Sequence, residues 1–109
     1  MQGAERERLL AQLVHPDEEL RRLATESVSQ LPAALALPLL VERLADESWR
    51  VRKAAIGRLA ALPERAGAVG ALLEAIADGE NPGRRNAALE ALIACGRTAT
   101  PELVEALAS

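Results

Sequence analysis

Few side chains in this 109-residue sequence could do covalent or metal chemistry, and their spacing argues against it. His15 is the sole histidine, so neither a pair of imidazoles nor a His-Glu-x-x-His helix can be assembled to hold zinc. It precedes Pro16-Asp17 in what reads as a turn, where a solvated or capping role is the expectation. Cys95 is the sole cysteine. A reactive thiolate needs a helix N-terminus or a neighbouring cation. Cys95 instead falls near a helix end between small residues and reads as a buried small hydrophobe. Gly67-Ala68-Val69-Gly70 has the glycines of a phosphate loop but lacks the preceding strand, the lysine and the Ser/Thr such a loop requires, and reads as helix-start packing. No catalytic, cofactor-binding or metal-binding set is assigned.

What remains is charge and one aromatic ring. Arg21, Arg52 and Arg85 hold the same place in three similar runs, Leu20-Arg21-Arg22-Leu23-Ala24, Val51-Arg52-Lys53-Ala54-Ala55 and Arg84-Arg85-Asn86-Ala87-Ala88. A recurring arginine of this kind is expected to bond turn carbonyls or a neighbouring acid. Arg22, Arg50, Lys53, Arg58 and Arg84 lie in the same runs or just beside them, and of these Arg22, Lys53 and Arg84 are the candidates for partner contact. Trp49 opens one of the runs beside a turn. It is read either as packed on that turn or as a binding anchor, a role in which Trp is enriched. Glu42, Glu74 and Glu105 recur in the intervening runs and read as a solvated outer-face ladder.

The elements that must position these groups follow from a repeat. Leu37-Pro38-Leu39-Leu40-Val41-Glu42-Arg43-Leu44 recurs from Val69 to Ile76 and from Thr100 to Leu107, with a fainter copy at Leu9, Leu10 and Leu13. Two alternating runs at a period of 31 to 33 residues predict stacked helix pairs. Seven helices are predicted, over 3–14, 18–31, 34–45, 49–61, 65–77, 82–95 and 101–108. Their apolar stripes are Leu9, Leu10 and Leu13; Leu20, Leu23, Ala24, Val28 and Leu31; Leu37, Leu40, Val41 and Leu44; Val51, Ala55, Ile56, Leu59 and Leu62; Val69, Leu72, Leu73 and Ile76; Ala88, Leu89, Leu92 and Ile93; and Leu103, Val104 and Leu107. Asp17 and Ser48 are placed to cap helices, and Asn81-Pro82 and Thr100-Pro101 each pair a capping residue with proline at the first helical position. Gly96 and the prolines at 32 and 63 read as stops.

Apolar residues make up 50% of the chain but aromatic ones only 1%, so the core must be built from Ala, Leu, Val and Ile. Small side chains suit close helix-on-helix packing. The net charge of −3 favours neither nucleic acid nor an anionic membrane. A single cysteine, a charged N-terminus without a signal-peptide core and the lack of a long uncharged apolar stretch lead to the expectation of a cytoplasmic protein.

At these positions the sequence resembles HEAT-repeat proteins, of the short bacterial kind related to bilin-lyase repeats. The resemblance rests on the early prolines Pro38 and Pro101, the turn aspartates Asp46 and Asp78, the Val51-Arg52 pair with its version Leu20-Arg21, and the close-packing alanines Ala24, Ala55 and Ala88. Gly70 departs from the early proline, His15 stands where the first copy would carry the aspartate, and Arg84 departs from the valine. The resemblance implies an all-α superhelix, a HEAT/armadillo-like solenoid of about three helix pairs plus an unpaired C-terminal helix. It is laid out as one domain over 1–109 with repeats at 3–31, 34–62 and 65–95 and a partial copy at 98–109. The long turn at 78–83 is expected to bend the stack. The last copy stops where its partner helix would begin, which leads to the expectation of a piece of a longer repeat protein, able to self-associate through its C-terminal helix.

For function the resemblance implies an interaction scaffold without cofactors, presenting a curved surface to a protein partner. The second helices of each pair line the concave face in this family. Their cations are expected to select an acidic or mixed-charge segment. Two other readings stand beside it. Some DNA glycosylases share such a solenoid, but with more basic concave faces. A bilin-lyase-like enzyme or chaperone would need a roomy tetrapyrrole cavity. The HEAT-type diiron hydroxylases use several His-Glu pairs, and none occurs here.

Overall fold

All six helix starts predicted within the described residues fall within a residue of the observed ones, and the reasons are local. The computed structural model describes residues 3–62, 65–77 and 81–98. Within them lie α1 (Gly3–Leu13), α2 (Glu18–Ser27), α3 (Ala33–Arg43), α4 (Trp49–Ala60), α5 (Arg65–Ala77) and α6 (Pro82–Thr98), and no strand occurs among the described residues. The predicted helix at 101–108, with Glu105 and Pro101, lies outside the described residues, as do the stop at Pro63 and most of the long turn with Asp78. Asp17 caps α2 by accepting the Glu19 N–H at 2.8 Å. Asn81 caps α6 by accepting the Arg84 N–H at 3.0 Å, with Pro82 at the first helical position.

Other expectations are corrected. Ser48 occupies the N-cap position of α4, but its hydroxyl makes no capping bond and is buried without a partner. The turn is organised one step earlier, where the Asp46 carboxylate accepts the Ser48 N–H at 2.8 Å. α2 ends at Ser27 and passes into a 3-10 turn, Val28–Gln30, that carries the chain to Leu31. Gly96 does not stop α6, which continues to Thr98. A glycine stop depends on a left-handed conformation, and no glycine among the described residues has a positive φ.

The helices pack as pairs, α1 with α2, α3 with α4 and α5 with α6. Between pairs, α4 lies against both α2 and α6, and α3 lies against α5. The second helices thus form one layer and the first helices another, with an aliphatic core between. Leu9, Leu13, Val28, Leu40, Leu44, Leu59 and Leu72 are buried there. Each fully buried leucine contributes roughly 1.5–3 kcal/mol relative to exposure. Ala24, Ala55 and Ala88 are buried at the helix contacts.

The stripe on α6 is rotated from the predicted one. Ala87, Ala88, Ala91 and Cys95 are buried, whereas Leu89 and Ile93 are exposed. Leu10, Leu23 and Leu73 are exposed as well. α6 packs against both α4 and α5, and its small residues allow close approach on both sides.

Successive turns are tied by polar contacts. Arg43 of α3 donates to the Leu13 carbonyl at 2.5 Å. Arg21 of α2 donates to the carbonyls of His15 and Pro16, each at 2.9 Å, and pairs with Asp46 in the next turn. Arg52 of α4 donates to the Asp46 carbonyl at 2.7 Å. Arg85 is exposed, and the turn before it lies mostly outside the described residues.

Candidate functional site

The layer of second helices presents a ridge between two grooves. α4 is the middle helix, and its first residue, Trp49, is 60% exposed. Lys53 lies one turn further on, at the i+4 spacing that brings helical side chains together. Its ammonium sits over the indole, 5.3 Å from the ring centroid. Such an exposed cation–π contact is worth about 0.5–1 kcal/mol, enough to bias the lysine toward the ring. The packed-on-a-turn reading of Trp49 therefore gives way to an open ring.

Between α2 and α4 lies a groove of about 300 Å³ lined by Arg22, Glu26, Trp49, Arg50, Lys53, Ala54, Gly57 and Arg58. Arg50, Lys53, Ala54, Gly57 and Arg58 follow one another at i, i+3, i+4, i+7 and i+8, the stripe of a single helix face. Beyond its chain neighbours and its own helix backbone, no atom lies within 4 Å of where a Cβ on Gly57 would be, so this part of the groove is open.

The cations differ in how far they are already engaged. Arg22 is held on its own helix by Glu19 at 2.5 Å and Glu26 at 3.1 Å. The hydrogen bond from Arg22 holds the Glu19 carboxyl below the usual carboxylate range, outweighing the opposing effect of burial, with the charges of Arg22 and Arg50 adding to it. The same bond raises the Arg22 guanidinium. Arg50 lies 3.6 Å from Glu19 and 4.0 Å from Glu18. Ion pairs among the described residues engage Arg21, Arg22, Arg43 and Arg50, leaving Lys53 and Arg58 as the unpaired cations of this groove.

A smaller groove of about 170 Å³ lies on the other flank of the ridge, between α4 and α6. Trp49 and Lys53 line it as well, joined by Arg52, Ile56, Gly83, Asn86, Ala87 and Glu90. Arg52 is committed to the Asp46 carbonyl.

Of the candidates named from the sequence, Arg22, Trp49 and Lys53 thus meet at one groove. Arg84 does not join them. It lines a third groove, of about 350 Å³, between α3 and α5, with Leu37, Pro38, Val41, Glu42, Ala71 and Glu74. Glu42 and Glu74 of the predicted ladder share that groove. Arg50 and Arg58, which are not among the sequence candidates, line the groove too, and their helical spacing from Lys53 is the sequence signal of that shared face. Arg21 is turned into the turn network, buried except for 10% of its side chain.

His15 is exposed, and its Nδ1 accepts the Asp17 N–H at 3.0 Å. Cys95 is fully buried, its Sγ 3.9 Å from the Leu59 carbonyl. Among the described residues no group of three or more His, Cys, Asp or Glu is placed to hold a metal ion, and no helix is long and apolar enough to cross a membrane.

Alternating helix pairs, one layer of first helices and one of second helices, define an α-solenoid repeat protein. The chain belongs to the HEAT-repeat family, whose model, described as HEAT repeats, matches residues 6–93. No curated protein and no solved structure matches the chain. HEAT repeats commonly serve as protein-interaction scaffolds.

Proposed function

We propose that this chain is a protein-interaction module that captures an acidic or mixed-charge segment on the face formed by α2, α4 and α6. The observation that carries the reading is Trp49, an exposed indole under an ammonium group at the crest between two grooves. An exposed tryptophan is costly to leave in water and rewarding to cover, which is why such rings anchor interfaces. Lys53 and Arg58 beside it supply the charge that selects an acidic partner and speeds its approach. The rigid stack holds these groups at fixed spacing, so little order has to be gained on binding. The protein acts by display, with no bond made or broken.

The test uses a fluorescein-labelled octaglutamate peptide, a matching octalysine peptide and a single-stranded oligonucleotide, followed by anisotropy at low salt. The acidic peptide is expected to bind, and the Lys53→Glu/Arg58→Glu double variant to lose at least roughly tenfold in affinity with unchanged helicity. Preferential binding of the octalysine peptide, or affinity indifferent to the double variant, would contradict the assignment. Tighter binding of the oligonucleotide than of the peptide would move the function to nucleic acid.

A further inference from the structure

The two grooves flanking α4 differ in kind, and that difference describes the ligand. The α2–α4 groove is lined by Arg22, Arg50, Lys53 and Arg58 against one carboxylate, Glu26. The α4–α6 groove has little net charge. Arg52 is bonded to the Asp46 carbonyl, Lys53 and Glu90 carry opposite charges, and the rest of the lining is Trp49, Ile56, Ala87, Gly83 and Asn86. At about 170 Å³ it has room for one aliphatic side chain, and Glu90 disfavours a carboxylate there.

We propose that this face recognises a bipartite segment crossing α4 over Trp49, with an acidic residue in the α2–α4 groove and an aliphatic residue three positions away in the α4–α6 groove. The inference rests on the interaction reading above and goes further by fixing the partner's pattern. The spacing follows from the width of one helix. With its side chains an α-helix is about 10 Å across. A polyproline II segment has three residues per turn and rises about 3.1 Å per residue, so residues i and i+3 face the same side about 9 Å apart. Such a segment puts one side chain on each flank of α4 and lays its backbone on the indole. Lys53, which lines both grooves, meets the segment at the crossing.

The second half of the pattern supplies selectivity. Acidity alone would admit any carboxylate-rich chain. An aliphatic side chain seated on Ile56 beside the exposed Trp49 ring removes apolar surface from water on both partners, an effect independent of salt.

Trp49 is the sole tryptophan and the chain has no tyrosine, so intrinsic fluorescence reads this site alone. The probes are end-capped peptides with the order Asp-Pro-Pro-Leu and its reverse, each compared with the version carrying Gly for Leu and with the shifted order Asp-Pro-Leu-Pro. In at least one chain direction, Leu is expected to tighten binding roughly tenfold over Gly, the scale of one partly buried leucine, and the shifted peptide is expected to lose that gain. Asn86→Met, an exposed position lining the smaller groove, should fill it without changing charge. It should abolish the leucine gain, so that the Leu and Gly peptides bind the variant alike. Equal affinity for Leu and Gly peptides in both directions, with either still weakened by Arg58→Glu, would overturn the bipartite pattern and leave the acidic-segment reading standing. No change in Trp49 fluorescence with any peptide would overturn both.

Discussion

The Arg21 guanidinium of α2 reaches the Asp46 carboxylate, 25 residues along the chain, at 3.0 Å, with side-chain exposures of only 10% and 8%. Asp46 lies in the turn between α3 and α4, so the pair joins successive repeats. Both groups make further hydrogen bonds. Arg21 also holds two carbonyls of its own turn, and Asp46 accepts a backbone N–H from Ser48. The hydrogen bond to Asp46 raises the guanidinium further above its ordinary value, outweighing desolvation. The contact fixes how α4 sits against α2, and hence the width of the groove between them.

Truncating either partner should therefore cost more than an ordinary surface ion pair. Arg21→Ala or Asp46→Ala leaves the other, largely buried charge without its partner, and a loss of about 3 kcal/mol is expected. Arg21→Lys should recover only part of it, because an ammonium cannot reproduce the forked geometry. Urea denaturation of the three variants measures this, and losses below about 1 kcal/mol, the scale of surface pairs, would show that the pair does not tie the repeats.

Close packing by alanine gives a second expectation. Ala55 of α4 and Ala88 of α6 are fully buried. Leucine at either site adds volume where neighbouring helices leave none, at a cost of about 1–3 kcal/mol. Thermal melts of Ala55→Leu and Ala88→Leu should both shift downward. Parental melting in both would mean that the helix register is different.

Glu19 offers a test through pH. Its carboxyl is held below its ordinary range mainly by the hydrogen bond from Arg22. Between the lowered folded value and the unfolded one, the unfolded chain binds more protons, so stability rises with pH there. The contribution is present above the unfolded carboxylate value of about 4.3 and is lost as pH falls through the folded value. Glu19→Gln should flatten this part of the acid limb of a stability-versus-pH curve. Combined with Glu26→Gln, it should also release Arg22 and strengthen binding of acidic peptide at neutral pH. Unchanged affinity in the double variant would show that Arg22 takes no part in the groove.

Much of the architecture was legible in the sequence, because a solenoid writes its contacts at a fixed period. The bounds of α5, the caps Asp17 and Asn81, and the alternation of first and second helices all followed from local signals. The phase of individual stripes was less legible. On α6, Leu89 and Ile93 outweigh their neighbours in hydrophobicity, so pattern alone points inward along them. Packing against two helices instead selects Ala87, Ala88, Ala91 and Cys95, which are small enough to let both neighbours close. The same limit split the candidate site. Arg22, Lys53 and Arg84 stand in comparable runs, but Arg84 opens its helix close to α3 and α5 and lines their groove. Nothing in a one-dimensional pattern distinguishes those two sides. Trp49 was ambiguous for a related reason: whether a ring at a helix start folds onto a turn depends on what its neighbours leave open.

The central claim is that the face of α2, α4 and α6 receives the partner, and amide-resolved NMR tests it most directly. The ¹⁵N-labelled protein is titrated with the unlabelled octaglutamate peptide, alongside an Arg84→Glu variant. The account predicts that the Trp49 indole N–H and the amides around Lys53, Gly57 and Arg58 shift together and saturate, with the same affinity in the variant. Shifts centred on Leu37, Val41 and Ala71, or an affinity that collapses with Arg84→Glu, would place the site in the groove between α3 and α5 and contradict it.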